Sequence, residues 1–200
     1  MGPAFARGPF FFAILQGVII GITGTNGAGK GTVVDYLVKR KGFAHYSARD
    51  FIVEELLRRG MPVERNAMRE VGNELREAHG PGYVVEELHK KAAQNGGNAV
   101  IESIRTAGEA EVIKEKGIVL WAVDADKRAR YERSVLRGSS TDHVTLEQFI
   151  ELEDREMQSD DPAKQNIHKV MQMADVVLTN DSTQDELFAQ VEAALKQAGQ

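Results

Sequence analysis

The run Gly24-Thr25-Asn26-Gly27-Ala28-Gly29-Lys30-Gly31-Thr32 constrains this chain more than any other feature. The apolar residues Val18-Ile19-Ile20 precede it, and an amphipathic stretch over residues 33–41 follows. That order reads as strand, glycine-rich loop, helix, and the spacing Gly24-x4-Gly29-Lys30 is that of a P-loop. In such a loop successive backbone N–H groups curl around a phosphate, and the helix N-terminus adds partial positive charge. The glycines permit positive φ and close approach of the backbone to the phosphate. Lys30 reaches the β- and γ-phosphates as a point charge. The dinucleotide spacing Gly-x-Gly-x-x-Gly is absent between Gly21 and Gly31, which sets that reading aside. The strict P-loop has Ser or Thr directly after the lysine; here Gly31 takes that place and Thr32 brings the hydroxyl one residue later.

Two hundred residues suit one domain with a substantial core. A net charge of −5 argues against sequence-independent binding to nucleic acid, which wants a basic face. With no Cys, disulfides and thiolate metal sites are excluded, and the composition fits a cytoplasmic protein. The run Phe10-Phe11-Phe12-Ala13-Ile14-Leu15 is too short to span a bilayer. It leads through Gln16 into the P-loop strand with no room for a cleavage site. Residues 1–16 therefore read as a tail, and residues 17–200 as one domain with no membrane partner.

Strand candidates lie at 17–23, 43–46, 99–103, 118–123 and 176–179, with helical periodicity between them. This alternation predicts an α/β fold with a mostly parallel sheet covered on both faces. Asp126, Thr145 with Gln148, and Thr183 with Glu186 read as helix caps, and Asp161-Pro162 as a further helix start. Two segments interrupt the alternation: a helical insertion at 48–94 and a polar, charged segment at 138–161. Ligands of open parallel sheets sit beyond the carboxyl ends of the strands, so these segments are natural acceptor-binding and lid elements.

The strand ends supply the candidate chemistry. Glu102, ending the third strand, is placed to orient a magnesium-bound water, with Thr32 as a possible direct ligand, and Arg105 would face the phosphates. Ser47, Arg49 and Asp50 end the second strand, where Ser47 equally suits a helix cap and Asp50 its dipole. Arg49 suits an acceptor phosphate. On the insertion, Asn66, Arg69, Asn73 and Arg76 share one helix face, with Arg76 the strongest candidate for ligand contact because Gly80-Pro81-Gly82 follows it. Arg130, Arg133 and Arg137 share a face at the start of the lid, and Arg133 and Arg137 are the expected stabilisers of charge on a migrating phosphoryl group. Asn180, after the last strand, suits contact with a purine base, or the loop serves only to cap the last helix. The five His residues show no metal-ligand spacing, and Trp121 reads as core.

The Gly-Lys-Gly-Thr loop resembles that of the P-loop nucleoside monophosphate kinases and the neighbouring dephospho-CoA kinases. The likeness is greatest to the adenylate-kinase- and dephospho-CoA-kinase-related proteins. Glu102-Ser103-Ile104-Arg105, Glu74-Leu75-Arg76 with Gly80-Pro81, Arg133 with Arg137-Gly138, and Ala174-Asp175 with Asn180 carry the rest of the likeness, over about residues 18–195. The resemblance implies a five-stranded sheet in order 2-3-1-4-5, ATP as donor, magnesium as cofactor and a phosphorylated acceptor. The whole loop 24–32 and Asn180 would then bind ATP. Ser47, Arg49, Asp50, Arg76 and Arg105 would bind the acceptor. Lys30, Arg105, Arg133, Arg137 and Asp50 would be catalytic. The chain departs from adenylate kinases at the acceptor side: Glu-Ser-Ile-Arg replaces Asp-Gly-x-Pro-Arg, Arg49 replaces a glycine, and Val53 replaces an arginine. A nucleoside or deoxynucleoside monophosphate is the expected acceptor. The alternatives are a sugar hydroxyl, as in dephospho-CoA, with Asp50 as base, and an ATP-binding regulatory module with little turnover.

Overall fold

The computed structural model describes residues 17–138, 145–157 and 159–199, without the side chains of Arg137 and Arg155. The expected tail at 1–16 lies outside the described residues, as does part of the expected lid. Five strands form one wholly parallel sheet: β1 (Ile19–Gly24), β2 (Ala44–Ser47), β3 (Ala99–Glu102), β4 (Val119–Asp124) and β5 (Val176–Thr179). Their order is β2-β3-β1-β4-β5, as the resemblance implied. β1 is central, with Ile20 opposite Val100 on one side and Val119 on the other. The P-loop that leaves its end therefore opens between two neighbouring strand ends.

Alternation along the strands sorts side chains between two layers. Ile20, Ile22, Val100, Trp121 and Val123 face α1 (Lys30–Lys41) and α9 (Gln184–Gln197), packing on Val33, Leu37, Leu187 and Val191. Trp121 is fully buried, as expected of core. Ile19 and Leu120 face the other way, toward Val112 and Ile113 of α5 (Ala107–Glu115) and Val170 of α8 (Ile167–Gln172). Apolar residues on both strand faces explain the near-continuous hydrophobic runs.

The insertion folds as three helices: α2 (Ala48–Arg58), α3 (Arg65–His79) and α4 (Tyr83–Asn95). Ile52, Leu56, Val71 and Leu75 give α2 and α3 a small core of their own. Beyond β4 come α6 (Lys127–Arg137) and α7 (Leu146–Met157). Asp126 caps α6, Thr183 caps α9, and Thr145 and Gln148 exchange hydrogen bonds at the start of α7. One expected helix start fails. Asp161-Pro162 begins a turn, with the Asp161 carboxylate accepting from Ala163 N–H at 2.9 Å. The helix waits until Ile167, where Asn166 is the cap. The intervening segment is pinned to the loop after β3 and to the start of α5 instead: Asn166 N–H donates to Arg105 O and Gly108 N–H to Pro162 O. Such an Asx-type turn satisfies the same backbone groups that a first helical turn would.

Candidate active site

A cavity of about 750 Å³ opens at the carboxyl ends of β1 and β3. Asn26, Gly27, Gly29, Lys30, Gly31 and Thr32 line its floor. α1 begins at this floor with Gly29 as N-cap in the left-handed region and no side chain capping it. Its first amides are thus directed at the cavity, the arrangement that suits an anion. Gly29 is fixed by its φ of 100°, which L side chains rarely adopt, and a Cβ there would also displace Asn180 Nδ2, 2.3 Å away. Gly27 (φ 77°) is equally fixed, because its Cβ would meet Arg130 O at 2.2 Å.

Gly24, Thr25, Ala28 and Asn180 stand behind this floor and hold its shape. Lys30 Nζ donates to Gly24 O and Thr25 O, each at 2.8 Å. Thr25 Oγ1 donates to Asp124 Oδ1 at 2.9 Å. Asn180 Nδ2 donates to Ala28 O at 2.8 Å, and Asn180 O accepts from Arg133 Nη2 at 2.8 Å. Arg133 lines the cavity, and its Nη1 is buried without a hydrogen-bond partner among the described residues. Arg137 lies on the same helix, but its side chain is outside the described residues.

Glu102 lines the cavity with Thr32 and Lys30. Burial alone would raise its carboxyl. Hydrogen bonds from His45 and Ser47, with the charge of Lys30, outweigh burial and hold it below the usual carboxylate range. The His45 imidazole, 3.4 Å away, is raised in return, chiefly by that hydrogen bond. An ionised strand-end carboxylate beside a loop hydroxyl fits a magnesium ion held mainly by phosphates and water. Among the described residues no group of three or more His, Asp or Glu could hold a metal by itself. Ser103, next in the chain, is the one described non-glycine residue with positive φ (66°). Backbone held in that region concentrates at functional loops.

Of the expected acceptor-side residues, Arg49, Arg76 and Arg105 line the cavity. Ser47 does not; its hydroxyl accepts from Asp50 N–H as the cap of α2, at 3.2 Å. Asp50 stands apart from this wall. Its side chain is 64% exposed, it stands 3.8 Å from Arg49, and it is not part of the cavity wall. One residue along a helix turns a side chain by about 100°, so Arg49 faces the cleft and Asp50 faces solvent. Arg76 is present but committed: Nε and Nη2 donate to Glu109 Oε1 at 2.9 and 2.7 Å, with both side chains almost wholly buried. Asn66 and Arg69 reach the wall and Asn73 does not.

Three charged residues join the site without having been expected. Arg65 begins α3, and Glu156 lies on α7; both line the cavity. Glu109 sits behind it, capping α5 and accepting from the N–H groups of Arg105 and Thr106 as well as from Arg76. Its signal was present in the sequence as Thr106-x-x-Glu109, a capping box. Arg65 and Glu156 carried no such signal.

A family model described as an AAA domain matches residues 20–159. The UPF0200 protein of Pyrococcus horikoshii is 30% identical over 88% of this chain and 94% of its own length. The chain belongs to this AAA-domain, UPF0200 family. Among solved structures, shikimate kinase from Bacteroides thetaiotaomicron is similar with a TM-score of 0.56 at 15% identity, over 92% of this chain and 99% of that one. A gluconokinase from Sinorhizobium meliloti has a TM-score of 0.52 at 12% identity, over 91% and 93%. At such identities the likeness is one of fold: a P-loop kinase-like fold with a parallel sheet in the order found here. Among the described residues no helix is long and apolar enough to cross a membrane.

Proposed function

We propose that this family member is an ATP-dependent phosphotransferase that moves the γ-phosphoryl group to a nucleotide-type monophosphate. One observation carries the reading. The P-loop shares its cavity with arginines from four other elements or loops, Arg49, Arg65, Arg105 and Arg133, whereas the two carboxylates on the wall, Glu102 and Glu156, are both engaged by partners. Such a cavity is rich in groups that stabilise transferring phosphate and poor in general bases. A phosphate acceptor, with a second pKa of about 6, is already a nucleophile near neutral pH and needs none. A sugar hydroxyl does need one, and Asp50 points away from the cavity.

In this reading the α1 amides and Lys30 bind the β- and γ-phosphates, and Arg133 with Asn180 borders the nucleotide end. Arg105 lies where donor and acceptor meet. Arg49 lines the acceptor side. Thr32 and Glu102, the latter through water, would hold magnesium, which supplies neutralising charge to the phosphates. The relatives named kinases of shikimate and gluconate support group transfer on this fold.

A coupled ADP-release screen over nucleoside monophosphates, deoxynucleoside monophosphates and dephospho-CoA tests the reading, with Lys30→Ala as control. Release that depends on a monophosphate and disappears in a folded Lys30→Ala protein is the expected result. Release with dephospho-CoA alone would move the acceptor to a hydroxyl. ATP binding without acceptor-dependent release would make the chain a nucleotide-binding module.

A further inference from the structure

The Glu156 carboxylate is held like a ligand. Oε1 accepts from Nε of Arg65 at 3.0 Å and from its Nη2 as well. Oε2 accepts from Arg105 Nη1 at 2.9 Å and from Asn26 Nδ2 at 3.0 Å. Arg105 Nη2 also donates to Asn26 Oδ1, closing the ring. The donors come from three separate places: the P-loop, the first residue of α3 and the loop after β3. The carboxylate comes from a fourth, α7. Guanidinium forks on either side of a planar anion match phosphate and carboxylate geometry equally.

We propose that Arg65, Arg105 and Asn26 form the anion subsite of the acceptor, and that Glu156 is a resident carboxylate which the acceptor's anionic group displaces. The proposal rests on the phosphotransferase reading only in naming the anion an acceptor. The location supports it: Asn26 belongs to the P-loop, so an anion held there lies beside the phosphate cradle, where an acceptor must be. The charge supports it too. Two guanidiniums and one carboxylate leave one positive charge, and a phosphate dianion in place of Glu156 would neutralise both arginines. Taking Glu156 away with nothing to replace it would strand two partly buried cations, which is costly. Release of the carboxylate and entry of an anion are therefore coupled. α7 need not leave the body when this happens. Glu153, one turn earlier and on the same face, is independently tied to α6 by the buried Arg130, whose Nη2 donates to Glu153 Oε2 at 3.2 Å.

Inorganic phosphate is the probe. Full-length chain saturated with magnesium and a non-hydrolysable β,γ-imido ATP analogue is titrated calorimetrically with phosphate, so that the P-loop is filled. Glu156→Gln keeps the shape and removes the charge. It is expected to bind phosphate about tenfold more tightly than wild type, the scale of relieving one internal competitor. Arg65→Met is expected to abolish binding, and Glu156→Gln with Arg65→Met to restore none of it. Glu156→Asp, which keeps the charge but shortens the reach, gives a second reading should the Gln variant fail to fold; it too is expected to bind phosphate more tightly. Equal or weaker phosphate binding in folded Glu156→Gln or Glu156→Asp protein overturns the proposal. If the analogue itself does not bind to wild type, the P-loop kinase reading fails instead. The same phosphate comparison made in a Lys30→Ala background, without analogue, still decides the subsite.

Discussion

Arg76 shows how a side chain expected to bind an acceptor can line the cavity and still be committed to a buried partner. Its guanidinium is 3% exposed and its partner Glu109 is wholly buried. Removing one member of such a pair leaves an uncompensated buried charge, at a cost of about 3–5 kcal/mol. Arg76→Ala is therefore expected to lower the urea midpoint and, at about 2–4 °C per kcal/mol for a chain of this size, to drop Tm by roughly 10 °C. An unchanged midpoint with a raised acceptor KM would return Arg76 to the binding site. Asp50 is the converse case. It is exposed and outside the cavity wall, so Asp50→Asn should leave acceptor-dependent turnover nearly unchanged. A loss on the order of a hundredfold, the scale for removing a general base, would show that it enters the cleft.

At the scale of elements, buried carboxylates tie α7 to the rest of the molecule, beside the packing of Phe149 against Tyr131. Glu153 meets Arg130, and Glu156 meets Arg65, Arg105 and Asn26. Burial would raise the Glu156 carboxyl, but the nearby charges of Arg105 and Arg65 and the hydrogen bonds outweigh it and hold it low. A carboxylate depressed on folding stabilises above its unfolded pKa, about 4.3 for Glu, and that stabilisation is lost as pH falls through the lower folded value. Amide exchange in α7, corrected for the intrinsic pH dependence, should therefore accelerate as pH drops below about 4.3, ahead of exchange in β1 and β4. Glu156→Gln should lose most of this pH dependence. Uniform acceleration across α7 and the central strands would mean that the clasp does not set the stability of α7. The insertion differs, because α2 and α3 share the apolar cluster of Ile52, Leu56, Val71 and Leu75. The packing of α2 against α3 should depend less on pH over the same range.

For the molecule as a whole, the site gathers ends of separate elements, so its occupants should bind the folded chain far better than the unfolded one. ATP with magnesium at a hundred times its Kd should add about 2.7 kcal/mol of stability. At about 2–4 °C per kcal/mol that is a rise in Tm of roughly 5–10 °C, absent in Lys30→Ala. An equal rise in that variant would place ATP elsewhere. The acceptor should add a further increment only when it carries an anionic group able to reach Arg65 and Arg105.

The sequence by itself determined those parts of the protein whose chemistry is local. A phosphate cradle needs consecutive backbone amides, so Gly24 to Thr32 spells it out in one stretch. Buried parallel strands need short apolar runs, so all five were legible to within one or two residues at each end. The caps at Asp126, Thr145 and Thr183 were legible because a capping side chain lies within three residues of the amide it binds. Asp161-Pro162 misled because an Asx turn and a helix start use the same residues and the same first hydrogen bond. Tertiary structure decided everything that depends on a distant partner. Arg76 is committed because Glu109, 33 positions away, meets it in the interior. Arg65 and Glu156 stand 91 positions apart, and no periodicity or spacing joins them. Only the folding of α3, the P-loop and α7 around one cavity gives those charges a common place, because ion pairing depends on separation in space and not along the chain.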